Sequence, residues 1–168
     1  MRFEITKKQT NSCNCFVCGR DNKGGLFASF YETKDKEVVS VMKSSLFHQS
    51  YPEHTHGGII CAILDETAGR AMWIDEPGVL AVTSRISVKY RRPVPLEEDF
   101  LAVGKVVSNT PIGFVAVGKI YDKKGNLLAE SEGTYIKQKP SDISKQEGME
   151  DEIMFMIPDD ETVSVLEW

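Results

Sequence analysis

One segment limits the possible folds more than any other. From Ile59 to Ile74 the chain reads IICAILDETAGRAMWI, about four helical turns with almost no polar interruption. Gly57 and Gly58 precede it and Pro77–Gly78 follow it, so the helix is bracketed by residues that break regular structure. Beyond Gly78 the pattern turns to strands: VLAVTSRISVKYRR, DFLAVGKVVSN, GFVAVGKIYD and LLAESEGTYIKQK. Turn signals at Pro93–Pro95, Thr110–Pro111 and Lys124–Gly125–Asn126 separate them. Upstream, LFASFYE and EVVSVMKS are joined by the polar turn TKDK, and the loop FHQSYPEHTHGG leads into the helix. A parallel α/β fold needs a helix between most strands, and this chain has none to spare. The pattern therefore predicts an α+β fold, an antiparallel sheet of about six strands wrapped around one long central helix.

At 168 residues the chain is long enough for one domain with a real core. The expected boundaries are a Cys-rich N-terminal segment over 1–24, the main domain over 25–139 and an acidic extension over 140–168. From Ser141 onward nine acidic residues face Lys145 alone, a charge of −8. The whole chain has 20 Lys+Arg and 25 Asp+Glu, net −5, so the first 140 residues carry +3. That balance excludes a dedicated nucleic-acid binder, which needs a strongly basic face. No apolar run approaches the roughly 20 residues that cross a bilayer. The start, MRFEITKKQT, has no apolar stretch behind its basic residues, so it does not read as a secretory signal. The expectation is a cytoplasmic protein without nucleic-acid or membrane partners. In the tail, IMFMI and VSVLEW are apolar enough to dock, while the acidic runs read as solvated.

Three of the four cysteines, Cys13, Cys15 and Cys18, form a C-x-C-x-x-C pattern. A reducing compartment and a domain of this size argue against a disulfide framework. Three thiolates are one ligand short of a closed zinc site, which His48, His54 or His56 would complete. The alternative, reduced thiols in a turn-rich segment, is the reading taken, with no metal or cofactor assigned. Nor does the spacing hold a base beside any of these thiols, so none is assigned as a nucleophile. Cys61 falls in the apolar helical pattern, where a small buried thiol is expected.

Gly57 and Gly58 stand where the backbone N–H groups of the helix have no partner inside it. With the helix dipole, those donors suit an anion or a carbonyl oxygen becoming negative. Equally, the pair serves as a glycine turn that only admits the chain to the helix. Of the two adjacent acids, Glu66 lies four residues before Arg70, the favoured orientation for a helical ion pair. Asp65 has only Cys61, Ala62, Ala68 and Gly69 around it on its face. A carboxylate on so small and uncharged a surface needs a partner or a purpose. Partial burial would raise its pKa toward values useful to a general base, and ionisation leaves it a nucleophile.

The segments HGGIICAILDE and TSRISVKYRRPVP together resemble the hotdog-fold acyl-CoA thioesterases of the phenylacetate-pathway and THEM4-like type. Upstream, CFVCGRDNKGGL resembles the C-F-x-C-G-x-x-N-x-x-G-L motif of a subgroup. The matches run from about Cys15 to Pro95, with strand-rich sequence continuing to Lys139. The resemblance implies a homodimer, or a dimer of dimers, with active sites at the subunit interface and an acyl-CoA substrate. By the same mapping Gly57 polarises the thioester carbonyl through its N–H, and Gly58 lines the substrate site. Asp65 of the partner activates water or attacks directly, and Gln49 orients the water or carbonyl. His56 holds the turn, and Thr83 falls near a family hydroxyl position. A period-2 reading places Thr83 on one face with Arg85, Ser87, Lys89 and Arg91. Lys89, Arg91 and Arg92 then become candidates for the phosphates of coenzyme A, or else a solvated, charge-defended strand. Two features depart from the family, the EHT loop before His56 and the long acidic tail. The same fold also serves as a non-catalytic acyl-CoA sensor or, with a recruited histidine such as His48 or His54, as a hydratase or dehydratase.

Overall fold

A computed structural model describes residues 1–143 and 161–168. Its strands are β1 (Arg2–Lys8), β2 (Tyr31–Thr33), β3 (Val38–Lys43), β4 (Leu80–Tyr90), β5 (Asp99–Asn109), β6 (Gly113–Tyr121), β7 (Leu127–Gln138) and β8 (Val165–Glu167). The one long helix, α1, spans Gly57–Arg70 and tightens into a 3₁₀ turn over Ala71–Ile74. The strands form a single sheet in the order β4-β7-β6-β5-β3-β2-β1-β8, with every neighbouring pair antiparallel. Helix α1 packs across one face of β3 to β7. The α+β architecture is therefore as expected, but the sheet has eight strands rather than about six. The two additions are β1, whose RFEITKK is too charged to stand out as a strand, and the three-residue β8 at the edge. The charges of β1 are accommodated because its charged side chains are exposed or half-buried, while Phe3 is buried. Of the tail, VSVLEW docks as β8 on β1, with Trp168 Nε1 donating to the Asp122 carbonyl at 2.8 Å. IMFMI lies outside the described residues.

The helix sits low on the sheet because two strands offer no side chain beneath it. A Cβ at Gly104 in β5 would lie 2.2 Å from the Thr67 carbonyl oxygen, and one at Gly118 in β6 would lie 3.0 Å from that of Leu64. Ile60, Ile63, Leu64, Thr67 and Ala68 are thereby buried. Ile60, Ile63 and Leu64 join Phe30, Val38, Phe100 and Ile120 in the main apolar cluster. Burial of each such side chain stabilises by about 1.5–3 kcal/mol. The other side of α1, with Cys61, Asp65 and Gly69, is only half-buried. Cys61 is thus less buried than its apolar context predicts, because β4 beyond it is the sheet's last strand.

The N-terminal segment is tied to the end of α1 by one buried cation. Arg70 donates from Nε to Glu66 Oε1 at 2.7 Å, from Nη1 to the Thr10 carbonyl at 2.9 Å and from Nη2 to Cys18 Sγ at 2.9 Å. The rings of Phe30 and Trp73 each lie 4.7 Å from the guanidinium carbon. Val17, Cys18 and Leu26 enter the main core beside it. No helix among the described residues is long and apolar enough to cross a membrane.

The close seat of α1 has a direct stability test. Gly104→Ala drives a methyl into the Thr67 backbone and is expected to destabilise by at least about 2 kcal/mol in urea unfolding. Gly24→Ala, whose Cβ meets only Asn22 Oδ1 at 3.7 Å, should change stability by less than about 0.5 kcal/mol. Equal effects would mean that helix and sheet do not approach so closely.

Candidate active site

At the start of α1 the His-Gly-Gly turn is built by its histidine. His56 occupies the cap position in an extended conformation, and its Nδ1 accepts the Gly58 N–H at 2.9 Å. The neutral ring accordingly carries its proton on Nε2. A Cβ at Gly58 would lie 3.1 Å from that Nδ1, so the second glycine gives the ring its room. The Gly57 N–H has no acceptor among the described residues, while its carbonyl accepts the Tyr90 hydroxyl at 2.9 Å. Of the two glycine donors, Gly57 is therefore the one left for a ligand. A cleft of about 360 Å³ opens there, lined by Tyr51, His54, Gly57, Tyr90, Arg91 and Arg92 among others. Gln49 is exposed in the preceding loop, with its backbone bridged to Thr55.

Asp65 lies two turns further along. Thr83 of β4 donates its hydroxyl to the carboxylate, 2.9 Å from Oδ1 and 3.1 Å from Oδ2. This is the partner that the helix itself does not supply. Tyr135 of β7 donates to the Asp65 backbone carbonyl at 3.1 Å and stacks on Phe114 with ring centroids 4.8 Å apart. Burial pushes the Asp65 carboxyl above the ordinary aspartate value, the Thr83 and Tyr135 hydrogen bonds oppose that shift, and the Glu66 charge adds to it. Burial and the Asp65 charge likewise push the Tyr135 hydroxyl up. A second cleft, about 180 Å³, joins Asp65, Glu66, Arg70, Trp73, Thr83 and Tyr135. Glu66 keeps the ordinary role expected of it, a helical ion pair with Arg70 at 2.7 Å.

Gly57 and Asp65 are thus in one helix but in different clefts. Eight residues at 1.5 Å each separate them by about 12 Å along its axis. One carbonyl group cannot touch both within a single chain. Between the two clefts runs β4, eleven residues long, paired with β7 on one side and with no strand on the other among the described residues.

The basic stripe is not the single face that strict alternation predicts. A bulge lets Thr83 pair with Tyr135 and Arg85 with Thr134, so Ser84 is an extra residue. Such an insertion reverses the facing of everything beyond it. Thr83 consequently points at α1. Arg85, Ser87 and Lys89 instead line a cleft of about 440 Å³ on the opposite face, with Lys119, Glu130 and Glu132. Arg91 is held by Glu130, with Nη2 at 2.5 Å and Nε at 3.1 Å from Oε1, and with Arg92 it borders the cleft at Gly57. The structure therefore brings Arg91 and Arg92 near Gly57 and leaves Lys89 with the charges of the outer face.

The histidines are otherwise occupied. His48 is buried, its Nδ1 accepting the Ser45 N–H at 3.0 Å and its Nε2 lying 3.0 Å from the Gly24 carbonyl oxygen. His54 Nδ1 is 2.6 Å from the Pro52 carbonyl oxygen. Among the described residues one group has metal-ligand character: the sulfurs of Cys15 and Cys18 and a carboxylate oxygen of Glu66 lie within 4.8 Å of one another. Arg70 already donates to both Cys18 and Glu66, so the cluster has its own cation and does not fit a metal cage. Cys13 is not in it. Sequence reasoning passed over Tyr90 and Tyr135, since a tyrosine in a strand pattern does not reveal which hydroxyl will meet the helix.

Known proteins resemble the chain in both sequence and fold. Residues 53–129 match the family model of the thioesterase superfamily. The mouse (Mus musculus) acyl-coenzyme A thioesterase THEM4 is 31% identical over 125 residues, covering 70% of this chain and 50% of that protein. The chain thus spans about half the length of this curated relative. Among solved structures, the E. coli PaaI protein from the phenylacetic acid degradation operon matches with a TM-score of 0.60 and 18% identity, over 68% of this chain and 81% of that one. A hypothetical thioesterase protein from Streptococcus pneumoniae, solved with coenzyme A, matches with a TM-score of 0.59 and 20% identity, over 66% and 85%. By sequence this chain is similar to the thioesterase superfamily over residues 53–129, and by fold it has the hotdog architecture of the solved proteins it matches.

Proposed function

We propose that the protein is an acyl-CoA thioesterase, releasing a free acid and coenzyme A at sites shared between two copies of the chain. The observation that carries this reading is the separation of its two chemical halves. An unbonded N–H at Gly57 and a half-buried, hydroxyl-held carboxylate at Asp65 stand about 12 Å apart on one helix, beside a long strand with an open edge. Pairing two β4 edges antiparallel about a two-fold axis would run the two α1 helices in opposite directions. Gly57 of one chain would then face Asp65 of the other, twice per dimer. The edge strand is also the kind of unpaired ladder that proteins cover.

In such a site the Gly57 N–H, backed by the helix dipole, polarises the thioester carbonyl and stabilises the oxyanion that forms on attack. Asp65 takes the proton from an attacking water, or attacks the carbonyl carbon itself. Thr83 holds the carboxylate in place, and Gln49, exposed beside the turn, orients the water or the carbonyl. His56 maintains the turn rather than moving a proton, because its Nδ1 is engaged by Gly58. Gly58 lines the site without offering a donor, and Glu66 balances Arg70. Arg91 and Arg92 border the Gly57 cleft and pair naturally with coenzyme A phosphates, whereas Lys89 acts on them only from the outer face. The likeness to proteins named for acyl-coenzyme A hydrolysis, and to one solved with coenzyme A, supports this substrate class. The negative net charge and the thiol-rich N-terminal segment suit a cytoplasmic setting.

Release of free thiol from short, long and aromatic acyl-CoAs tests the reading. Asp65→Asn is expected to lower kcat by at least about a hundredfold. KM should stay within about twofold, since the lost interaction belongs to the transition state. Glu66→Gln should do much less. A larger effect at Glu66 would show that the wrong acid has been chosen, and acyl-CoA binding without any thiol release would make the protein a sensor.

The Thr83 hydroxyl stabilises the charged form of Asp65, so its removal raises the Asp65 pKa further. Because the base acts when ionised, Thr83→Val should shift the acid limb of the kcat/KM pH profile to higher pH. A limb that stays in place or moves down would mean that Asp65 is not the titrating base.

A further inference from the structure

The thioesterase reading leaves the Cys15-Phe16-Val17-Cys18 turn unused. The backbone holds Cys15 in place: its sulfur accepts the Val17 N–H at 3.4 Å, and its carbonyl accepts the Gly19 N–H at 2.8 Å. The two sulfurs lie within 4.8 Å of one another, in a C-x-x-C turn that brings both to one cluster. Their surroundings differ. Cys18 is buried, 1% exposed, with Arg70 Nη2 2.9 Å from its sulfur, while Cys15 is half-buried at the edge of the same cluster. A guanidinium can only donate, so Cys18 is the acceptor and the thiolate is its favoured form. The hydrogen bond from the Cys15 thiol and the Arg70 charge together bring Cys18 down to about 6 against the pull of burial, and the same hydrogen bond pushes Cys15 up. One proton is thus shared by two sulfurs beside a fixed positive charge.

We propose that Cys15 and Cys18 are a reversible dithiol–disulfide site that exchanges with low-molecular-weight disulfides, Cys15 being the sulfur that the disulfide reaches and Cys18 the buried thiolate that resolves it. In the first step Cys15 loses its proton to solvent and its sulfur attacks one sulfur of the reagent. The reagent's S–S bond breaks, and its leaving thiolate is protonated by solvent. In the second step the Cys18 thiolate attacks the Cys15 sulfur of the mixed disulfide, expelling the second reagent thiolate, which is protonated by solvent. Two protein thiols are oxidised and one disulfide is reduced to two thiols. The new bond removes the thiolate from beside Arg70 and leaves Glu66 as that cation's one anionic partner in the cluster. Glu66 and Arg70 also line the Asp65 cleft, so oxidation alters its wall.

The test equilibrates the full, folded chain in buffers of reduced and oxidised glutathione, alkylates the remaining thiols and maps them by mass spectrometry. The expected product is one Cys15–Cys18 disulfide per chain, two hydrogens lighter and reversed by excess reduced glutathione, with Cys61 still alkylated. Cys18→Ser should stop at the first step and retain one glutathione on Cys15. Cys15→Ser should gain none, because the remaining thiolate is buried. The proposal fails if the wild-type chain forms no disulfide, if the bond involves Cys13, or if Cys18 is glutathionylated in Cys15→Ser. It also fails if the purified protein holds one zinc ion per chain that protects both thiols.

Discussion

The approach of α1 to the sheet governs the rest of the molecule. Without side chains at Gly104 and Gly118, the helix backbone comes to rest almost on the strands, and its side carrying Ile60, Ile63, Leu64, Thr67 and Ala68 disappears into the core. What remains visible is a narrow side carrying Gly57, Cys61, Asp65 and Gly69, turned toward the last strand of the sheet. That seat sets the height at which Thr83 and Tyr90 of β4 meet the helix, one holding a carboxylate and the other a backbone carbonyl. A higher helix would lose both contacts. The seat also exposes polar groups beside a strand edge, which no strand among the described residues covers.

The far end of α1 is fixed differently. Arg70 is nearly inaccessible to water, yet all three of its nitrogens have partners and two rings flank its plane. Burying a charge is costly unless it is paired and hydrogen-bonded, and here the pairing draws on Glu66, Thr10 and Cys18 from separate parts of the chain. The arrangement joins the N-terminal turn to the helix. It also explains why two adjacent carboxylates differ: Glu66 is committed to a cation, and Asp65 is met by hydroxyl groups.

Much of this was legible in the residues. The uninterrupted apolar run of α1 and the turn signals between the later strands led to the architecture, because helix and strand periods are local properties. The Glu66–Arg70 pair followed from spacing alone. Strand β1 was not legible, since its charges obscure alternation and its support comes from distant partners, β2, β8 and the Val39–Leu101 cluster that takes Phe3. The bulge at Ser84 was equally hidden: one extra residue in a ladder leaves no mark on composition, yet it separates Thr83 from the basic residues that follow. The Thr83–Asp65 and Tyr135–Asp65 contacts span 18 and 70 residues, so pattern within the helix could not reveal them.

In the proposed reaction, catalysis needs the Gly57 N–H of one chain and the Asp65 carboxylate of another. Gly57→Pro removes that N–H at the first helical position, where proline is tolerated, and His56 already has the extended backbone that precedes a proline. Differently tagged chains carrying Gly57→Pro or Asp65→Asn should be nearly inactive alone. A purified mixed dimer of the two restores one intact site of two, so thiol release should recover to about half the wild-type rate per dimer. A mixed dimer as inactive as its parents would place both groups in one chain and contradict the claim.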